Sequence, residues 1–183
     1  MKILKSKKGL SAVVTTLIIL VVSVLLATVV TLYAVNVTTT RVEEESLQIT
    51  KLHIWHNGTT FSEAAFLITN VGGRDVVIDK ITVRGQECPW TSVYYSITTN
   101  EITSDLTYVK PNDNGTLLGK SWGSYSLTRA SSDLTLRSGR TMIVFITNPD
   151  HISINDIGVT VGVTVFTSNA QYYKEANVQA YIS

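Results

Sequence analysis

The stretch LSAVVTTLIILVVSVLLATVVTLYAV, residues 10–35, decides the architecture. No charged residue occurs from Gly9 to Thr40, and the run is Leu, Val and Ile punctuated by Ala, Ser and Thr. About 26 apolar residues exceed the roughly 20 that a helix needs to cross a hydrocarbon core. A helix on the surface of a soluble domain would carry a polar face at helical period, and none is present. The segment is therefore predicted to be lipid-embedded or surrounded by other apolar helices. Lys2, Lys5, Lys7 and Lys8 precede it. Positive charge at this end places it in the cytoplasm and the remaining residues, about 140, outside. A secretory signal has a shorter apolar core and a small-residue cleavage site, and Tyr33-Ala34-Val35-Asn36 makes a poor one. One reading is therefore an uncleaved signal anchor that holds an external domain.

The chain has 183 residues, which leaves room for one external domain of roughly 135 residues, enough to bury a core. Net charge is +1, and without the leader lysines it would be about −3. No basic patch argues for a nucleic-acid partner. The external part is rich in Thr, Ser, Val, Ile, Tyr and Asn, a β composition. Cys88 is the single cysteine, so no internal disulfide is expected. It reads as a small buried hydrophobe beside Pro89-Trp90, with an intermolecular bridge as the alternative.

The helix is expected to run from Leu10 to residue 46, because Arg41-Val42-Glu43-Glu44-Glu45 favours helix and Arg41 and Glu45 stand four apart on one face. Its length would be on the order of 54 Å. Asn36-Val37-Thr38-Thr39-Thr40 either continues it or forms a short melted section. From Leu47 the period changes to two. Leu47–His56 reads as a strand with both faces partly apolar, Asn57-Gly58-Thr59 as a turn, and Phe61–Val71 as a second strand with Ala64, Phe66 and Ile68 on one face. After the turn Asn70–Asp75, a third strand carries Val76, Ile78, Ile81 and Val83 and closes at Arg84-Gly85. The middle is irregular. Pro89-Trp90, Val93-Tyr94-Tyr95, Leu106–Val109 and Leu117-Leu118 are short strand candidates, Pro111–Gly115 is a turn, and Gly119–Ser132 reads as an exposed loop or edge strand. Thr141–Thr147, Ile157–Thr167 and Gln171–Ile182 follow as strands, the last two joined at Ser168-Asn169-Ala170. The predicted fold is α+β: a long hydrophobic helix, then an antiparallel Ig-like β-sandwich over residues 47–183.

No catalytic constellation is present in the sequence, and neither enzyme activity nor a cofactor is expected. His53 and His56 lie three apart on a strand and point to opposite faces, a poor metal pair. His151 sits in a turn beside Pro149-Asp150. Asp75, Asp79 and the Asn112-Asp113-Asn114 turn offer oxygens of the kind calcium takes, but read as solvated turn residues, so no metal site is assigned. Of the three tryptophans, Trp55 and Trp90 read as core, and Trp122, between Ser121 and Gly123, is the one expected at the surface. Together they would be the candidates for a sugar-binding face. Three sequons stand at Asn36-Val37-Thr38, Asn57-Gly58-Thr59 and Asn114-Gly115-Thr116. Asn57 and Asn114 lie in turns, where a glycan acceptor has to be accessible; Asn36 is expected to be buried at the helix neck.

The order of a lysine pair, a glycine, a small-residue start (Leu10-Ser11-Ala12) and a long apolar run resembles the class III signal of archaeal type IV pilins and archaellins. Val14 stands where bacterial type IV pilins carry a glutamate, so the likeness is to the archaeal branch. Phe66–Gly72 followed by Val76–Gly85, and the closing pair Val159–Thr167 and Tyr172–Tyr181, are similar to the strand pairs of archaellin and archaeal pilin heads. The resemblance implies a leader at residues 1–9, cut by a prepilin peptidase between Gly9 and Leu10 within Lys7-Lys8-Gly9-Leu10. It implies a mature helix at 10–46 that spans the bilayer before assembly and forms the filament core afterwards. The partners would be further copies of the chain, the peptidase, a membrane assembly platform and, before assembly, lipid. The small residues Ser11, Ala12, Thr15, Thr16, Ser23, Ala27, Thr28 and Thr31 suit close helix packing. The implied function is that of an extracellular type IV pilus-like filament subunit for adhesion or surface motility. A monomeric membrane-anchored Ig-like binding domain is the alternative. Within the filament reading the irregular middle favours a pilus over an archaellum. Glycosylation, common in archaeal filament subunits, would fall on Asn57 or Asn114.

Overall fold

The computed structural model describes residues 4–42, 44–149 and 152–181. It divides into two compact units, one up to residue 43 and one from Glu44 onward. The first is a single helix, α1 (Leu4–Val42), of 39 residues, about 58 Å long. It passes through Asn36–Thr40 without a break, so the melted alternative does not occur. A helix in an apolar environment satisfies its own backbone groups, and interrupting it would strand them. Both ends differ from expectation. The helix begins within residues 1–9, the expected leader, and it stops at Val42 rather than at residue 46. Glu45 lies beyond its end, so Arg41 and Glu45 do not share one helix; Glu43 lies outside the described residues.

The second unit is built from β1 (Leu47–His56), β2 (Ser62–Asn70), β3 (Val76–Val83), β4 (Gln86–Glu87), β5 (Val93–Thr98), β6 (Ser121–Trp122), β7 (Tyr125–Ser126), β8 (Thr128–Arg129), β9 (Leu134–Leu136), β10 (Thr141–Thr147), β11 (Thr160–Thr167) and β12 (Gln171–Ala180). One continuous sheet runs in the order β4-β3-β11-β12-β1-β2-β10-β5-β8, with β9 paired to β3, while β6 and β7 form a separate hairpin. Every pairing is antiparallel except a short parallel one in which Ile54, Trp55 and His56 of β1 face Val178, Gln179 and Ala180 of β12. The sheet curls into a half-barrel. The expected long strands are present, although β12 ends at Ala180, and Ile182 lies outside the described residues.

The concave face holds the main core, with Ala64, Phe66 and Ile68 of β2 opposite Ile78, Ile81 and Val83 of β3 and Val161, Val163 and Val165 of β11. Cys88 is buried in it. A second core lies on the other face, where Trp55, Ala65, Leu67, Tyr94, Ile143 and Phe145 are covered by Leu106, Leu117, Trp122 and Leu127. β2 and β10 are consequently buried on both sides. The cover corrects several expectations. Leu106–Val109 and Leu117-Leu118 are not strands, and Trp90 of the Pro89-Trp90 candidate opens a short 3-10 turn, Trp90–Ser92. Of the two readings of Gly119–Ser132, the edge strand holds at β8, which ends the sheet order, while Leu127 and Ala130 are buried. Trp122 is only 8% exposed, stacks on Tyr125 at 5.9 Å and donates its indole N–H to Thr107 Oγ1 at 3.1 Å. Short apolar segments that pack onto a sheet from outside have strand-like composition but no ladder partner, and composition alone does not separate the two cases.

A β-bulge explains why β1 reads as apolar on both faces. Lys51 has φ +50°, and between Thr50 and His53 the register against β2 slips by one residue. Leu47 and Ile49 before the slip, and Leu52 and Ile54 after it, all enter the main core, which frees Trp55 for the second. The strained backbone at Lys51 is matched by its side chain. Its ammonium donates to the carbonyls of Ile102, Thr103 and Ser104 at 2.8, 2.8 and 2.5 Å, which satisfies all three donors and fastens the start of the covering segment.

The base of the head is tied by Asn70, which is fully buried. Its Nδ2 donates to the carbonyls of Arg74 and Leu136 at 2.8 and 3.0 Å, and its Oδ1 accepts the Gly72 N–H at 3.0 Å. Gly72 lies against the backbone entering β1, where an added Cβ would stand 2.6 Å from the Ser46 nitrogen. The side chain of Glu45 accepts hydrogen bonds from the Thr167 hydroxyl and, at 3.0 Å, from Asn169 Nδ2. Residues 44–46 are thus held by the β2–β3 turn on one side and the β11–β12 turn on the other.

Lys51→Met is expected to lower the stability of the head by roughly 1–3 kcal/mol, because charge-assisted hydrogen bonds are lost. Limited proteolysis should then cut first within residues 99–127. Lys51→Gly should lose the same tether but relieve the left-handed backbone, and so unfold about 1 kcal/mol later than Lys51→Met in a denaturant titration.

Candidate functional site

The helix is the principal candidate. From Gly9 to Thr38 it is long and apolar enough to cross a bilayer, with a mean hydropathy of 2.9 in its most apolar part and none of that part buried. Large side chains all around it are open, from Val37 at 38% to Tyr33 at 71% exposure. Its hydroxyls are turned inward. Thr15 donates to the Ser11 carbonyl, Thr16 to Val13, Ser23 to Ile19, Thr28 to Val24 and Thr31 to Ala27, at 2.7–2.9 Å. Each hydroxyl is thereby compatible with a medium that offers no water. At about 100° per residue, Ala12, Thr16, Ser23, Ala27 and Thr31 fall within roughly 100° of one another around the axis. Ser11 and Thr15 flank that stripe on one side and Thr28 lies to the other. Of the eight small residues read from the sequence, five thus share one side. Gly9 is exposed in the helix, and the Lys7-Lys8-Gly9-Leu10 segment is helical throughout.

The head carries a ladder of rings. His53 stacks on Trp55 at 5.2 Å, Trp55 meets Tyr108 edge-on at 6.2 Å, and Tyr108 stacks on Tyr181 at 4.2 Å. His53 Nε2 lies 2.9 Å from Asp105 Oδ1, and this bond with the imidazole is the leading cause holding the Asp105 carboxyl below its ordinary range. His56 is buried at the end of β1, with Nδ1 accepting the Gly58 N–H at 3.0 Å. The two histidines are not brought together. Asp150 and His151 lie outside the described residues. Asp75 accepts the Ser138 N–H at 3.0 Å. Among the described residues no group of three or more His, Cys, Asp or Glu side chains could hold a metal ion.

Glu63 is the residue that the sequence reading missed. It is 1% exposed within β2; Oε1 accepts the Val109 N–H at 3.0 Å, and Oε2 has no partner. Burial pushes its pKa up to about 8, so at neutral pH it is mostly uncharged. Burial, with Glu63 as a lesser cause, pushes the Tyr108 phenol up to about 12. The available signal was a carboxylate at the start of a largely apolar strand, on the face that Ala65 and Leu67 share.

The sequons are placed as follows. Asn114 is exposed in its turn. Asn57 is half-buried at a chain reversal where its Oδ1 accepts the N–H groups of Thr59, Thr60 and Phe61 and the Thr59 hydroxyl, at 2.9–3.1 Å. Asn36 is on the helix and exposed rather than buried.

No family model matches the chain, and no curated protein does. Among solved structures, a chain described as the apo PmoF2 PCuAC domain has 14% identity and a TM-score of 0.42, over 75% of this chain and 95% of that one. The β-glucosidase from Listeria innocua has 11% identity and a TM-score of 0.27, over 76% of this chain and 16% of that one. These similarities are too low to assign a fold family or an activity.

A carboxyl whose pKa is raised by folding contributes most stability below its unfolded pKa, near 4.5, and that contribution is lost as pH rises toward about 8. Thermal unfolding of the wild-type head is therefore expected to weaken by a few kcal/mol between pH 5 and pH 8. Glu63→Gln should remove most of that slope. An unchanged slope in the variant would show that Glu63 is ionised in the fold.

Proposed function

We propose that this chain is a structural subunit of an archaeal type IV pilus-like extracellular filament, assembled through its N-terminal helix. The observation that carries the reading is the continuous apolar helix, left uncovered around its whole circumference and followed by a β head that completes its own cores. In the precursor the helix spans the membrane with its lysine-rich end inside. Cutting between Gly9 and Leu10 removes that charged end. Gly9 favours local unwinding for the peptidase, since glycine costs about 1 kcal/mol relative to alanine within a helix. Helices of many copies then pack against one another, and a head-to-tail contact of this kind builds an open helical polymer.

Leaving lipid for other apolar helices gains little hydrophobic free energy, so close packing has to supply the stability. The stripe of Ala12, Thr16, Ser23, Ala27 and Thr31 suits that role. The heads would form the outer sheath and carry adhesion or motility contacts. Two blocks of antiparallel strands facing each other across one core support describing the head as a divergent Ig-like sandwich. The irregular middle, now seen as a cover over the second core, favours pilus over archaellum. Asn57 and Asn114 are the glycan acceptors in this reading. The second reading, a monomeric anchored binding module, draws on the same self-sufficient head and needs neither cleavage nor polymerisation.

Intact mass and N-terminal sequencing of the protein from its native cell surface separate the two. The filament reading expects a chain beginning at Leu10 in the sheared-filament fraction. A chain beginning at Met1 or Lys2 and staying in the membrane fraction would sink it. Ala27→Phe is expected to leave membrane insertion intact and cut filament yield, since overpacking a close interface costs about 1–3 kcal/mol per site; a monomeric anchor would show no effect.

A further inference from the structure

A groove of about 340 Å³ opens beside the ring ladder, between the 57–61 reversal and residues 108–113. That volume sits at the low end of the roughly 300–1,000 Å³ range of small-molecule sites. Tyr181, 36% exposed, lines it together with Tyr108, on which it stacks. Phe61 also contributes to the lining, and Lys110 and Asp113 are exposed residues of the opposite wall. Aromatic surface beside amide, hydroxyl, ammonium and carboxylate groups is the combination that a pyranose requires. The C–H face of the sugar lies on a ring, and its adjacent hydroxyls exchange hydrogen bonds with planar polar groups. One cation and one anion offset each other, which selects against a strongly charged ligand such as a phosphate.

We propose that this groove is a binding site for a neutral pyranose ring. Two sources would present the same chemistry. One is a saccharide on another surface or in solution. The other is the first sugar of a glycan on Asn57, which itself lines the groove. The described hydrogen bonds of the Asn57 side chain all run to Oδ1, whereas a glycan attaches at Nδ2, so modification would leave the reversal intact. The tethered source rests on the sequon reading above; the free source does not.

The test uses the full chain made without glycosylation enzymes and kept in a zwitterionic, sugar-free detergent. Methyl glycosides of glucose, galactose, mannose and N-acetylglucosamine are titrated by saturation-transfer NMR. Transfer to at least one glycoside is expected, weakened about tenfold or more by Tyr181→Ala and by Lys110→Ala, and unchanged by Lys80→Ala on the outer face of β3. No transfer to any glycoside, or transfer indifferent to both groove variants, overturns the proposal. The same titration on chain purified from its native cells, with the mass of the Asn57 peptide, separates the sources. A glycan on Asn57 that abolishes binding of the free glycoside assigns the tethered source, and retained binding assigns the free one. A bare Asn57 refutes the sequon reading alone, while a glycan on Asn57 in a chain whose unglycosylated form binds no pyranoside refutes the groove alone.

Discussion

Keeping residues 9–38 away from water is the constraint on which the chain depends. Eighteen large apolar side chains between Leu10 and Val37 are exposed on the helix. Transferring so many to an apolar medium is worth on the order of 20–30 kcal/mol, more than the roughly 5–15 kcal/mol that holds a whole domain folded. The head builds two cores of its own. The helix must therefore find lipid or other helices, and the inward-turned hydroxyls of Thr15, Thr16, Ser23, Thr28 and Thr31 make it equally suited to either. A helix with a polar face could not exchange one medium for the other, and a leader that keeps its lysines would oppose the exchange. In the proposed filament, that would be the physical reason why removing the charge before Leu10 and packing the helix afterwards belong together.

The head meets a different constraint. A sheet with one buried face could have left residues 99–127 as a solvated loop. Here Ala65, Leu67, Ile143 and Phe145 make the second face apolar as well, and the covering segment is the response. It has few ladder hydrogen bonds of its own, so it is fastened at separate points: the Lys51 ammonium on three carbonyls, the Glu63 carboxyl on the Val109 N–H, and the Trp122 N–H on Thr107. Two of those three fastenings use a side chain that is costly at its position, one on a left-handed backbone and one a buried carboxyl. Such costs persist where the surrounding structure fixes the geometry.

Much of this was legible in the residues. The apolar run gave the helix without ambiguity, since no polar face competes with it. Thr160–Thr167 was legible because alternation at period two survives on a sheet with one face in the main core, and Val76–Val83 was legible although its phase shifts at Asp79 and Lys80. What was not legible follows from long-range geometry. β1 looked apolar on both faces because a bulge at Lys51 changes its phase, and a bulge leaves no local signal when the residue that adopts it is a lysine rather than a glycine. The covering segment looked like strands and loop because its partners lie across the sheet. Trp122, flanked by Ser121 and Gly123, looked exposed for the same reason. The Tyr108–Tyr181 pair was beyond sequence reading, since the two residues come together only when the parallel β1–β12 contact brings the end of the chain beside residues 56–61.

That parallel contact also sets the chemistry at this end of the head. β12 meets β1 only at residues 178–180, and the Tyr181 N–H then donates to the His56 carbonyl at 2.9 Å. Tyr181 is thereby fixed beside the reversal that Asn57 caps, while Tyr108 is fixed from behind by Trp55 and by the Glu63-anchored backbone of Val109. The ring face in the groove is thus held by two independent parts of the fold, the sheet edge and the covering segment. A stacking surface loses affinity when its rings must be ordered on binding, and this one is ordered beforehand. Under the two proposals, holding an aromatic platform rigid at the head while leaving the helix free to change its surroundings would separate recognition from assembly within one chain.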